Sequence, residues 1–126
     1  MRILLAEDFE LTLTLLARVL RRAGHDVAPA ATAAEAERLC GAEAFDVLLL
    51  NLNYPDGDGW SLLERLRAGG CLTPAIAVTC LADAEAVERS RRAGFAAHMP
   101  KPILIDELLK CIADVTATSP AKHVSP

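Results

Sequence analysis

Clustered positive charge is scarce in this sequence. Lys and Arg number 13 against 17 Asp and Glu in 126 residues, giving a net charge of −4. Nucleic-acid recognition draws on a basic stripe or patch, so the composition argues against that class of partner. Two small basic groups, Arg18, Arg21 and Arg22, then Arg89, Arg91 and Arg92, lie among apolar residues on helical segments and read as solvated faces. Long apolar runs are also missing, since none approaches the ~18 residues of a membrane span. Met1 leads directly into a strand-like segment, so no signal peptide is expected. The expected compartment is therefore the cytoplasm, with no membrane partner. The cysteines, Cys40, Cys71, Cys80 and Cys111, show neither C-x-x-C spacing nor a disulfide-dense pattern, and buried, reduced thiols are expected. What remains is 52% apolar and 24% charged, the profile of a globular chain long enough for one cored domain.

The apolar residues arrive in alternating patterns. Arg2 to Ala6 is a short buried-strand run that stops at Glu7-Asp8. Leu13, Leu16, Val19 and Leu20 recur at helical spacing between Glu10 and Ala23, and Gly24 closes that helix. His25 to Ala30 reads as a second strand, confined to an edge by Pro29. Thr32 and Glu35 form a capping box that opens a helix ended by Gly41. Asp46 to Leu52 reads as a third strand, followed by a glycine-rich acidic turn and a helix from Trp60 to the paired Gly69-Gly70. Pro74 to Thr79 is a fourth strand. Asp83 caps a helix over Ala84 to Ala93 that Gly94 stops. Phe95 to Met99 is a fifth strand, and Ile105 to Ala113 a last amphipathic helix. From about Thr116 the composition turns to Thr, Ser, Pro and Ala, so the domain is expected over 1–115 and a flexible tail or linker over 116–126.

Strand and helix thus alternate five times. Parallel strands need crossover connections, so the pattern predicts an α/β fold, a doubly wound five-stranded parallel sheet. In such sheets, function gathers outside the carboxyl ends of the strands. The first strand ends at Glu7-Asp8, the third at Asn51 and the fourth at Thr79, with Lys101 after the fifth. Two carboxylates, an amide, a hydroxyl and an ammonium group are expected at one edge. Adjacent carboxylates with carbonyl oxygens nearby suit Mg²⁺, while a hydroxyl and a lysine opposite suit phosphoryl oxygens. The set describes a phosphoryl-binding pocket without a nucleophile, because the amide of Asn51 cannot attack phosphorus as a carboxylate does. A calcium-loop reading of the acidic turn fails, since Arg65 falls where a bidentate acid is required.

"RILLAED", "DVLLLNLNYPDGDG", "AVT" and the "PKP" around Lys101 together resemble a receiver (response regulator) domain of two-component signalling, over roughly residues 1–115. The resemblance implies a flavodoxin-like fold with strand order 2-1-3-4-5 and a Mg²⁺-dependent aspartyl phosphorylation site. It maps the family's acidic pair to Glu7 and Asp8, its hydroxyl switch to Thr79, and its lysine to Lys101 before a cis bond to Pro102. The backbone carbonyl of Asn53 is implied as a metal ligand. The phosphoacceptor aspartate maps to Asn51, and the aromatic switch to His98. These departures imply a phosphorylation-deficient, non-enzymatic receiver that binds Mg²⁺ weakly. Its implied partners are signalling proteins: a histidine kinase, a phosphotransfer protein or an output protein. Two alternatives stay open. One is an ordinary phospho-accepting receiver whose aspartate was deliberately changed to asparagine. The other is a small doubly wound phosphatase or phosphotransferase.

Overall fold

The computed structural model describes residues 1–117. Their sheet strands are β1 (Arg2–Ala6), β2 (Asp26–Ala30), β3 (Val47–Leu50), β4 (Ala75–Thr79) and β5 (Ala97–Pro100). The helices are α1 (Glu10–Arg22), α2 (Ala33–Ala42), α3 (Gly59–Ala68), α4 (Ala84–Ala93) and α5 (Ile105–Ala117). All pairings within this five-stranded sheet are parallel, in the order β2-β1-β3-β4-β5. This is the flavodoxin-like order, and β2, carrying Pro29, is an edge strand as its proline requires.

Alternation along the strands sorts the core into two layers. Ile3, Leu5, Val47, Leu49, Ile76 and Val78 pack with Leu16 and Leu20 of α1 and with Leu108 and Ile112 of α5. Leu4, Leu48, Leu50 and Ala77 face the other way, against Ala36 of α2 and Leu62, Leu63 and Leu66 of α3. Both faces of β1, β3 and β4 are therefore dry, which is why these strands read as near-continuous hydrocarbon.

Several boundaries differ from the sequence reading. β3 stops at Leu50, two residues early, because the Asn51 side chain takes the Leu52 amide and turns the chain. α2 runs through Gly41 to Ala42. Only half of its capping box forms: the Thr32 hydroxyl accepts from the Glu35 amide, but the Glu35 carboxylate binds Arg38. α5 continues to Ala117 with Thr116 buried, so the helix enters the segment expected to be a tail. The rest of that segment lies outside the described residues. The acidic turn carries a short antiparallel pair, Asn53–Tyr54 with Gly57–Asp58, that the sequence reading lacks. Finally, Cys40, Cys71 and Cys111 are half-buried and Cys80 is exposed, where buried thiols were expected.

Candidate functional site

The carboxyl ends of β1 and β3 lie side by side, with Ala6 paired to Leu50 and the Asn51 amide donating to the Ala6 carbonyl at 3.0 Å. That register sets Glu7 and Asp8 opposite Asn51. Together with Phe9, Thr12, Asn53, Cys80 and Lys101 they line one cleft of about 360 Å³. Glu7 and Asn51 are buried at its floor, 2% and 7% exposed.

Every polar atom of the Asn51 side chain is engaged. Its Nδ2 donates to Glu7 Oε2 at 3.1 Å and to Asp8 Oδ1 at 3.0 Å. Its Oδ1 accepts from the amides of Leu52 at 2.7 Å and Asn53 at 3.4 Å. The amide has one workable orientation: reversed, its oxygen would face two carboxylates and its NH₂ would face two amide donors. Glu7 is equally committed. Its Oε1 pairs with the Lys101 ammonium, and its Oε2 also accepts from the Phe9 amide at 2.9 Å, anchoring the chain where α1 begins. The acidic pair is thus held by one ammonium, which offsets one of its two charges, and by one uncharged amide that donates to both carboxylates. No carboxylate stands where Asn51 stands, and both oxygens of the Glu7 carboxylate are occupied.

Gly59 makes this packing feasible. A Cβ there would lie 2.3 Å from the Asn51 carbonyl oxygen and 3.0 Å from Leu52, so only glycine lets α3 begin against the end of β3. The neighbouring Tyr54 hydroxyl donates to the Ala6 carbonyl at 3.1 Å. Burial, and then the nearby Glu7 carboxylate, push that phenol well above its ordinary pKa.

Thr79 and His98 do not line the cleft with the acidic pair. Thr79 is wholly buried at the end of β4, and its hydroxyl accepts from the Leu81 amide at 3.1 Å. His98, on β5, places Nε2 2.6 Å from the Leu81 carbonyl and Nδ1 2.9 Å from the Ser90 hydroxyl. A carbonyl only accepts, so Nε2 carries the proton and, in the neutral ring, Nδ1 accepts from Ser90. The Ser90 oxygen in turn accepts from Trp60 Nε1 at 2.9 Å. Leu81 therefore links the two positions, its N–H on Thr79 and its C=O on His98. The peptide Lys101–Pro102 is cis, and Pro102 borders an adjoining apolar cavity with Lys101, Leu15 and Ile103.

Sequence reasoning missed two features here. The Asp56 carboxylate accepts from the amides of Ala33 and Ala34, both at 2.9 Å, and so ties the acidic turn to the start of α2. Those two bonds, Ala34 first, hold its carboxyl below the usual carboxylate range. Arg89 stacks over the Trp60 ring at 4.1 Å and braces α4 against α3. A Pro-Asp-Gly turn announces itself locally, but not the helix it will clasp.

Comparison with known proteins gives the arrangement a context. A family model described as the response regulator receiver domain matches residues 3–113. The sensory/regulatory protein RpfC of Xanthomonas campestris pv. campestris is 30% identical over 123 residues, which cover 94% of this chain. The chain spans only 17% of RpfC's length. A CheY-like receiver domain protein from Methanospirillum hungatei superposes with a TM-score of 0.89 at 30% identity, covering 96% of this chain and 97% of that one. The non-phosphorylated HemR receiver domain of Leptospira biflexa gives a TM-score of 0.84 at 34% identity, covering 92% and 94%. Sheet order, helix placement and the match across nearly all the described residues agree, and the chain belongs to the response regulator receiver domain family of two-component signalling.

Proposed function

We propose that this chain is a phosphorylation-deficient receiver, with Asn51 at the phosphoacceptor position, that signals through protein–protein contacts and not through an aspartyl phosphate. The observation that carries the reading is the Asn51 amide, which donates to both Glu7 and Asp8 where a phosphoacceptor would offer oxygen. On this reading the chain performs no catalysis of its own. Its partners are a histidine kinase, a phosphotransfer protein or an output protein, in keeping with the sensory/regulatory name of its relative RpfC. We assign it to the cytoplasm; none of the described helices is long and apolar enough to cross a membrane.

Receivers commonly bind Mg²⁺ beside the acidic pair, and Glu7, Asp8 and the Asn53 carbonyl are the ligands that the family pattern implies. As arranged, these residues do not fit the ion. The Asn51 NH₂ group points at the carboxylates from the position where a third oxygen would sit, and the Asn51 oxygen is spent on backbone amides. An entering cation would have to displace both amide hydrogen bonds and compete with Lys101 for Glu7. Mg²⁺ binding is accordingly weak.

The decisive experiment is incubation with acetyl phosphate and Mg²⁺, followed by intact-mass spectrometry. The wild-type chain is expected to gain no hydroxylamine-labile phosphate. Asn51→Asp is the positive control for the rest of the pocket. Stoichiometric phosphate on the wild-type protein, lost on hydroxylamine treatment, would refute the reading.

A further inference from the structure

The hydrogen bonds that hold the Asn51 side chain also prepare it to be hydrolysed. Its carbonyl oxygen accepts from two backbone amides, Leu52 at 2.7 Å and Asn53 at 3.4 Å. The closer of the two is already at oxyanion-hole distance. Its nitrogen faces two carboxylates, Glu7 at 3.1 Å and Asp8 at 3.0 Å. Lys101 offsets only one of those two negative charges. The amide lies at the floor of an open cleft of about 360 Å³, and Asp8, on the cleft wall, is exposed.

We propose that Asn51 is a self-modification site, at which water from the cleft hydrolyses the side-chain amide, releases ammonia and leaves an aspartate at position 51. The inference rests on the reading of Asn51 as the phosphoacceptor position, because the product is the carboxylate nucleophile that phosphorylation requires. Only contacts that strengthen between ground state and transition state accelerate a reaction, and here they strengthen at both ends of the amide. As water adds to Cγ, the oxygen takes on full negative charge against the two N–H groups. The nitrogen loses its conjugation with the carbonyl, gains a proton and becomes cationic against the two carboxylates. In an unfolded chain only water meets those charges, and it must reorganise to do so; in the cleft the partners are already in place. The competing route, attack by the following backbone nitrogen to close a succinimide, is disfavoured, since the Leu52 N–H is spent on the Asn51 oxygen. The product is therefore an aspartate of normal linkage.

The atoms balance. One water adds its oxygen to Cγ, and one of its protons passes to Nδ2 within the tetrahedral intermediate. The Cγ–Nδ2 bond breaks and ammonia departs, taking the proton of the new carboxylic acid. One amide and one water become one carboxylate and one ammonium ion, with no change of oxidation state. The change runs once per molecule. It replaces the donor that holds Glu7 and Asp8 by a third carboxylate beside them, so a phosphorylation-deficient receiver matures into a phospho-accepting one.

The test incubates the freshly purified full chain at neutral pH in water enriched in heavy oxygen, beside the same chain unfolded in guanidinium chloride. Mass spectrometry follows the peptide that contains residue 51, with the peptide from Asn51→Asp as the standard that separates aspartate from isoaspartate. The expected product is a heavy-oxygen aspartyl peptide of normal linkage, formed about tenfold or more faster in the native chain than in the unfolded one. Asp8→Asn, at an exposed position, should slow the native reaction about tenfold or more while Trp60 fluorescence stays native. If that variant does not fold, the native and unfolded rates decide alone. Timed samples then receive acetyl phosphate and Mg²⁺, and the fraction that gains phosphate should equal the fraction that carries the new aspartate. Native Asn51 that hydrolysed no faster than unfolded Asn51, an isoaspartate mixture, a folded Asp8→Asn that reacted at the wild-type rate, or hydrolysed chains that took no phosphate would each overturn the proposal. Phosphate on chains that still carry Asn51 would instead refute the phosphorylation-deficient reading on which it rests, whatever the rate of hydrolysis.

Discussion

Replacing the Asn51 amide by a carboxylate of the same shape should destabilise the metal-free protein and make it depend on Mg²⁺. In the wild type, the Nδ2 group donates to Glu7 at 3.1 Å and to Asp8 at 3.0 Å, with Asn51 only 7% exposed. Asn51→Asp deletes both donors. Hydrogen bonds to charged groups contribute about 1.5–3 kcal/mol each. The new carboxylate also sits some 3 Å from two others, a repulsion of ~5 kcal/mol per contact at an effective dielectric of 20. That figure is an upper bound, because Asp8 can swing outward and Lys101 can redistribute between carboxylates. A net loss of about 3–4 kcal/mol at neutral pH is the expected outcome. With urea slopes of ~1–3 kcal/mol per molar, the midpoint should fall by roughly 1–4 M.

Mg²⁺ supplies the second half of the test. A cation that binds only the folded variant stabilises it by about 2.7 kcal/mol at a hundred times its dissociation constant. Most of the lost stability should therefore return. The wild type already engages its acidic pair with hydrogen bonds from the amide and an ion pair to Lys101, so its midpoint should stay put over the same Mg²⁺ range. Urea melts followed by Trp60 fluorescence, with Mg²⁺ and with chelator, read all four conditions. If Asn51→Asp matched the wild type without Mg²⁺, or if Mg²⁺ stabilised both equally, the Asn51 amide would not be acting as the internal hydrogen-bond donor described above.

Gly59→Ala should lower stability by about 1–3 kcal/mol through overpacking against the Asn51 carbonyl and Leu52, measured by thermal melting. A melting temperature unchanged from wild type would show that β3 and α3 can part without cost. Ser90→Ala removes the hydroxyl shared by Trp60 and His98, and should cost roughly 1–2 kcal/mol with a visible change in Trp60 emission. Combined with His98→Tyr its effect should be non-additive by ~0.5 kcal/mol or more; strict additivity in urea melts would mean that the two side chains are uncoupled.

What was legible in the sequence was what local chemistry encodes. β1 and α4 came out with the boundaries read from sequence, α4 because its two stops are self-contained. The Asp83 carboxylate accepts from the Ala86 amide at 2.8 Å, and Gly94 takes φ +103°. The convergence of Glu7, Asp8, Asn51 and Lys101 was legible too, because strands run parallel and their carboxyl ends share an edge. Contacts between segments distant in sequence were not legible. Nothing near Gly41 announces that α2 will pass through it, and nothing near Asp56 announces that it will clasp α2. Cys40 and Cys71 looked like unrelated thiols, yet the packing of α2 against the turn after α3 sets both on the wall of one cavity. The most consequential detail, which way the Asn51 amide faces, depends on four groups from two strand ends and could only be read from coordinates.

That orientation bears on how such a receiver could switch. A ligand shifts an equilibrium only by its differential affinity for the two states, and moving a population from 1:99 to 99:1 takes about 5.5 kcal/mol. In this pocket the charges that would recruit a phosphoryl group and its cation are already paired internally, so either ligand must first break those pairs. The far side of the relay is equally committed. Drawing Thr79 toward the cleft would break its bond from the Leu81 amide, and moving Leu81 would strain the His98 bond to its carbonyl. His98 cannot follow freely, because Ser90 holds its other nitrogen while also accepting from Trp60. On the reading proposed here, a partner therefore meets one resting surface, and the affinity for that partner is set by packing around Leu81, His98 and Ser90. Control must then come from the amount of protein, from the partner, or from a chemical change in Asn51 itself.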